Sequence, residues 1–215
     1  MKNLAKSNEN FTNPEFIPYG TDPEMDKMVD SKFWDIRIIA AKEGYGLDKL
    51  INDRDEDVCI EVAYQGYGLN QLINNESWRV RKAVAEQDYG LDKLIDDNNP
   101  LVRAAVAERG YGLDKLVKDE NLYVREEVAK QGYCLDKFVN DNNENVRMKV
   151  AERGYGLEKL IDDENGYVRM EVAKKGYGLD KLINDDEYYV RAAVARQGYG
   201  LNRLISDDYK TIRIT

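Results

Sequence analysis

The octapeptide Gly44-Tyr45-Gly46-Leu47-Asp48-Lys49-Leu50-Ile51 returns, with small changes, from Gly66, Asp88, Gly110, Gly132, Gly154, Gly176 and Gly198. Each step is 22 residues. A period of that size marks an array of one supersecondary motif, in which no copy can bury its apolar face alone. Projected backwards, Asp22–Glu43 is a degraded first copy that keeps Ile36-Arg37 and Ala40-Ala41. Eight full repeats therefore span 22–197, and a truncated ninth spans 198–215. Residues 1–21 fall outside the period and are read as a partly disordered N-terminal extension or cap.

Positions within a repeat are numbered from the first Gly. Leu or Met occupies position 4, Leu is usual at 7, Ile or Val at 8, Val or Ile at 15, Val at 19 and Ala at 20. Positions 4, 7 and 8 share one face of a short helix, and 15 and 19 share one face of a second. Asp55, Ser77, Asn99, Asn121, Asn143 and Asn165 stand at position 12, where their side chains suit an N-cap. Pro100 follows at the favoured first helical place. The second helix then runs into the next Gly, the usual C′ residue, and Tyr follows as C″, placed to pack on the Val at position 19. The first helix, starting after the second Gly, is expected to make about two turns. The expected fold is all-α: a helical solenoid, or superhelix, of about nine 22-residue helix–turn–helix repeats.

The stretch Asp119-Glu120-Asn121-Leu122-Tyr123-Val124-Arg125-Glu126-Glu127-Val128-Ala129 resembles the signature of HEAT-like and leucine-rich-variant (LRV) repeats. An Asp sits in the turn, Val-Arg opens the second helix, and Val-Ala follows. The resemblance covers Asp22 to the C-terminus. It implies a binding scaffold, in some HEAT-like proteins one for nucleic acid. The leucine-rich-variant protein also carries an N-terminal cysteine-ligated iron–sulfur cluster, but no Cys precedes Asp22 here, so that cofactor is not carried over. No cofactor is expected.

Composition narrows the function classes. With 32 basic and 41 acidic residues the net charge is −9, so most of the surface should repel nucleic-acid phosphates. The chain has no His, which removes the commonest general base and metal ligand at neutral pH. Cys59 and Cys134 stand at different repeat positions and form neither a disulfide framework nor a zinc spacing. Met1 to Asn10 lacks the apolar run of a secretory leader, and no stretch is apolar enough to cross a bilayer. A cytoplasmic protein without a membrane partner is the expectation.

Four recurring motifs invite chemistry. Asp53, Asp97, Asp119, Asp141, Asp163, Asp185 and Asp207 recur at position 10; Arg37, Arg81, Arg103, Arg125, Arg147, Arg169, Arg191 and Arg213 recur at position 16. The arginines read either as a phosphate-binding row or, in preference, as a structural ladder bonded to the turn Asp and to neighbouring carbonyls. Gly-Tyr-Gly lacks the strand and the Gly-Lys-Ser/Thr ending of a phosphate loop, so helix capping is its reading. The acidic turns, such as Asp162-Asp163-Glu164-Asn165-Gly166, lack the register of a calcium loop. The Asp-Lys pairs at positions 5 and 6 read as a solvated face. Near-identical recurrence of carboxylates argues against a singular catalytic constellation, so neither a catalytic residue nor a metal site is assigned.

The repeats differ chiefly at positions 13, 14, 17, 18 and 21. Positions 14, 17, 18 and 21 are expected to form one exposed stripe on the second helix. Aromatic and apolar residues gather beside it: Trp34, Trp78 and Tyr188 at position 13, and Leu101, Tyr123, Tyr167 and Tyr189 at position 14. They read either as packing between helix starts or as anchors for a partner. The leading expectation is a non-enzymatic scaffold that binds a protein with basic patches. Two alternatives stay open: an acidic nucleic-acid mimic that inhibits a DNA- or RNA-binding enzyme, and a HEAT-like nucleic-acid-binding or repair protein.

Overall fold

The computed structural model describes residues 22–200. The chain forms two compact units, Met1–Tyr111 and Gly112–Thr215, built from the same repeat. The extension 1–21, most of the truncated ninth repeat, Asp207 and Arg213 lie outside the described residues.

All regular structure among the described residues is helical. The first unit contains α1 (Pro23–Val29), α2 (Trp34–Lys42), α3 (Leu47–Leu50), α4 (Glu56–Tyr64), α5 (Leu69–Leu72), α6 (Trp78–Glu86), α7 (Leu91–Leu94) and α8 (Pro100–Glu108). The second contains α9 (Leu113–Leu116), α10 (Leu122–Lys130), α11 (Leu135–Phe138), α12 (Glu144–Glu152), α13 (Leu157–Leu160), α14 (Gly166–Lys174), α15 (Leu179–Leu182) and α16 (Tyr188–Arg196). The long helices stack in chain order, α2 on α4 on α6 on α8 in one unit and α10 on α12 on α14 on α16 in the other. Short helices pack beside the long helices that flank them. Each unit is therefore a two-layered stretch of helical solenoid.

Local chemistry accounts for each element. The position-12 side chains of Asp55, Ser77, Asn99, Asn121, Asn143 and Asn165 each accept a backbone N–H two residues ahead, satisfying one orphan donor of the long helix. At the other end, Tyr67 N–H donates to the Val62 carbonyl at 3.3 Å and Gly66 N–H to the Ala63 carbonyl at 2.9 Å. This pair of bonds is the Schellman ending, and it recurs through Tyr177–Val172 and Gly176–Ala173. The short helix is a single turn of four residues, half the expected length. It stops because Asp53 N–H closes a tight bond to Leu50 C=O, while the Asp53 carboxylate captures the Asp55 N–H at 2.9 Å and leads the chain away.

The two glycines of each repeat do different work. At position 1, Gly66 has φ of 70° and open space around a would-be Cβ; Asp88 takes the same place at φ 57°. At position 3, a Cβ on Gly68 would land on Cδ1 of Ile51, the position-8 residue one repeat earlier. Cys134 occupies position 3 at φ 49°, and there the residue one repeat earlier is the shorter Val117.

The core follows the period. Val58, Val62, Val80, Val84, Val124, Val128, Val146 and Val150 are wholly buried, and Leu50, Leu72, Leu94, Leu116, Phe138, Leu160 and Leu182 nearly so. Each such side chain contributes about 1.5–3 kcal/mol on burial. A nine-residue helix is marginal alone, so this stacked burial holds it.

Candidate binding surface

The Arg and Asp rows form rungs between consecutive repeats. Arg37 reaches Asp53, Arg81 reaches Asp97, Arg125 reaches Asp141, Arg147 reaches Asp163 and Arg169 reaches Asp185, with Nε–Oδ2 distances of 2.5–2.7 Å. A second bond from Nη2 to Oδ1 makes each rung bidentate. The guanidinium also donates to the turn carbonyl of its own repeat; Arg103 and Arg191 do so to Asp97 and Asp185 at 2.7 and 2.8 Å. The Asp119 carboxylate accepts the Asn121 N–H at 2.9 Å, the same turn bond made by the other aspartates. Burial opposes ionisation of Asp53, Asp97 and Asp185, but the arginine and the turn N–H outweigh it and hold these carboxyls below their ordinary range.

One repeat departs from this pattern in a way that supports its logic. Cys59 replaces the Arg, and its Sγ approaches the Asp53 carbonyl at 3.3 Å, the acceptor that the guanidinium would have used. The next position 10 is Asn75 rather than Asp, so no carboxylate is left buried without its cation. Asn75 still accepts the Ser77 N–H at 2.9 Å and keeps the turn.

The Asp-Lys face carries more structure than its sequence implies. Lys93 bonds Asn74, Lys159 bonds Asn140 and Lys181 bonds Asp162, each joining position 6 to position 9 of the preceding repeat. Gln71 does the same with Asn52 at 2.6 Å. Among the described residues, no buried side-chain nitrogen or oxygen lacks a partner, and no group of His, Cys, Asp or Glu is arranged to hold a metal. The position-16 arginines, the position-10 aspartates and several position-6 side chains thus serve to join repeats, while the position-5 acids such as Asp48, Asp92 and Asp180 stay exposed.

The variable positions supply the remaining surface, in a form narrower than expected. Position 18 is mostly withdrawn from an exposed stripe: Ala83, Ala105, Glu171 and Ala193 are buried and Glu61, Glu127 and Lys149 half-buried, with Ile39 in the degraded first repeat exposed, and at position 17 Ala104 and Ala192 are buried too. The reason is helix stacking. Position 17 of one long helix faces position 18 of the next, as Lys149 Nζ and the Glu126 carboxylate at 3.9 Å illustrate. Positions 14 and 21, with position 13, remain on the outer edge.

In the first unit, Trp78 and Leu101 line one groove with Ile60, Tyr64, Arg79 and Glu86. Tyr64 was not singled out in the sequence because position 21 is otherwise charged; its hydroxyl donates to Glu86 at 2.8 Å. Burial, with Glu86 beside it, pushes the Tyr64 phenol up to about 12. Trp34 lies on α2, 49 % exposed. In the second unit, Tyr123 and Tyr167 are 53 % and 55 % exposed. Tyr167 stacks on Tyr189 with centroids 4.7 Å apart and planes at 13°, and Tyr188 meets Tyr189 edge-on at 5.5 Å. Packing and exposure are therefore shared out: Trp78, Leu101 and Tyr189 are half-buried, while Trp34, Tyr123, Tyr167 and Tyr188 stand out. Gly166 makes room for this cluster, since the Tyr189 hydroxyl lies where its Cβ would be.

Fold and surface together define an α-helical repeat solenoid with an aromatic outer edge. The chain is similar to a solved structure described as a leucine-rich repeat variant with a novel repetitive protein structural motif. The two are 28 % identical over 80 % of this chain and 81 % of that one, with a TM-score of 0.58. The leucine-rich-variant resemblance of the Asp-Val-Arg-Val-Ala pattern is thus matched in three dimensions. No protein-family model and no curated protein matches the chain. No helix among the described residues is long and apolar enough to cross a membrane.

Proposed function

We propose that the chain is a non-catalytic repeat scaffold that binds a protein partner carrying basic patches. The observation that supports this reading is a division of labour along the repeat. Recurring polar residues largely serve rungs, caps and turns, whereas the positions that vary expose Trp34, Tyr64, Tyr123, Tyr167 and Tyr188, apart from the partly exposed recurring tyrosines such as Tyr111 and Tyr155 that close the long helices. Tyr and Trp in such places supply rigid contact area at low entropic cost. The net charge of −9 favours a cationic partner by speeding encounter.

Affinity capture with the full-length chain, compared with Trp78→Ala and Tyr123→Ala variants of unchanged melting temperature, tests this reading. The expected result is a set of captured proteins lost in one or both variants. A capture profile identical for all three chains counts against this surface.

A further inference from the structure

Within each unit a long helix is covered on its leading face by the long helix before it. Three contacts show which positions look backward. The Ser77 hydroxyl, at position 12 of α6, donates to Glu56 at position 13 of the preceding repeat, and Arg79, at position 14, meets the same carboxylate at 2.6 Å. One turn further on, Lys149 at position 18 of α12 faces Glu126 at position 17 of α10. Positions 12, 14 and 18 of a long helix therefore face its predecessor.

Among the described residues, α2 is preceded only by the helix α1 of the short layer. Its backward-facing positions hold Phe33, Asp35 and Ile39. Phe33 is 57 % exposed and Ile39 44 % exposed. In α6 and α8 the same two places hold polar Ser77 and Asn99 and buried Ala83 and Ala105. The uncovered face of the first long helix is thus apolar where a cover would lie.

The chain carries a segment suited to cover it. Asp22 caps α1, and its N–H donates to the Tyr45 hydroxyl at 3.1 Å, which fixes where residues 1–21 join the array. Asp22 stands at position 1, the place where Gly44 follows α2 and Gly66 follows α4. Continued backward, the register sets Phe16 at position 17, the one that meets position 18 of the next repeat, here Ile39. Phe16-Ile17-Pro18-Tyr19 is an apolar run in an otherwise largely polar stretch. Pro14 and Pro18 fall at positions 15 and 19, where a nine-residue helix would lose backbone bonds and clash with a carbonyl. Six residues join Phe16 to Asp22, a reach of about 20 Å, more than the roughly 13 Å length of α2.

We propose that Phe16 and Ile17 lie across the leading face of α2 and cover Phe33 and Ile39, closing this end of the array with an apolar strap in place of a helix. A solenoid end left apolar would stack on a second copy, and a cap from the same chain prevents that.

Cysteine pairs in the full-length chain test it, with Cys134→Gly restoring the glycine of the other repeats and Cys59 left in the core. Phe16→Cys with Ile39→Cys should close a disulfide within one chain in a glutathione buffer. Phe16→Cys with Asp48→Cys, on exposed α3, should stay reduced. Hydrogen exchange gives a second readout in the chain with its own cysteines. Phe16→Ser with Ile17→Ser should speed exchange of the α2 amides by about tenfold, the scale of one large apolar side chain returned to water, and leave α12 and α14 unchanged. Equal closure of the two cysteine pairs, or α2 exchange indifferent to the serines, overturns the proposal. A disulfide that joins two chains, with the parent sedimenting as a dimer, assigns the face to a second copy and overturns it as well.

Discussion

Replacing Arg147 by Cys removes a guanidinium that makes two bonds to Asp163, at 2.7 and 2.9 Å, and one to the Asp141 carbonyl at 2.8 Å. Both partners are nearly inaccessible, with side-chain exposures of 9 % and 6 %. The variant leaves Asp163 as a buried carboxylate whose remaining bond of note is the Asn165 N–H at 2.9 Å. Removing one partner of such a pair costs about 3–5 kcal/mol, most of it the charge left behind. Asp163→Asn alone strands the guanidinium instead and costs less, since Arg147 keeps the carbonyl and Glu164 at 3.3 Å. The double variant reproduces the natural Cys59–Asn75 pair, in which the thiol takes the carbonyl and the amide keeps the turn. Its loss should therefore fall below the sum of the single losses by about 2 kcal/mol, within the range seen for coupled neighbours. Urea denaturation of the four chains at neutral pH, followed by circular dichroism, reads the cycle. Additivity to within about 0.5 kcal/mol would refute the view that Asn75 is there because Cys59 is.

Two further outcomes follow from the same geometry. Gly66→Ala meets open space and pays only for a left-handed backbone, about 1–2 kcal/mol, whereas Gly68→Ala adds a collision with Ile51; thermal melts should rank Gly68→Ala lower, and Ile51→Val should recover part of the loss. The depressed carboxyls of Asp53, Asp97 and Asp185 bind protons less readily folded than unfolded. Their contribution to stability is complete above the ordinary carboxylate range, about pH 4, and is lost as the pH falls toward the lower folded values; denaturant midpoints measured from pH 7 to pH 2 should decline there, and more shallowly in Asp97→Asn.

Much of this was legible in the residues because each recurring signal has a local cause. Asn121 caps α10, Gly132 and Tyr133 close it, and Arg125 bonds the turn carbonyl of Asp119. What depended on the spacing between helices was not legible. Periodicity places positions 17 and 18 away from Val at 15 and 19, yet the long helices lie close enough to bury Ala105 and Glu171. The Lys93–Asn74 and Lys181–Asp162 links tie down side chains that look merely solvated in one dimension. Gly166 reads only as the end of an acidic turn until the Tyr189 hydroxyl is seen beside it. Within the candidate surface, sequence marked the aromatics, but only geometry separated exposed Tyr123 and Tyr167 from half-buried Trp78 and Leu101, and only geometry added Tyr64.

The central claim is that framework residues serve the array and the variable outer edge serves a partner. Quantitative capture by the full-length chain, run beside the Arg147→Cys, Asp163→Asn double variant and the Trp78→Ala, Tyr123→Ala double variant under conditions where all three remain folded, tests it most directly. The account predicts that the framework pair lowers the denaturation midpoint but retains the captured proteins, while the edge pair, destabilised only by the loss of half-buried Trp78, stays folded and loses them. Capture lost with the rung and kept without the aromatics would contradict it.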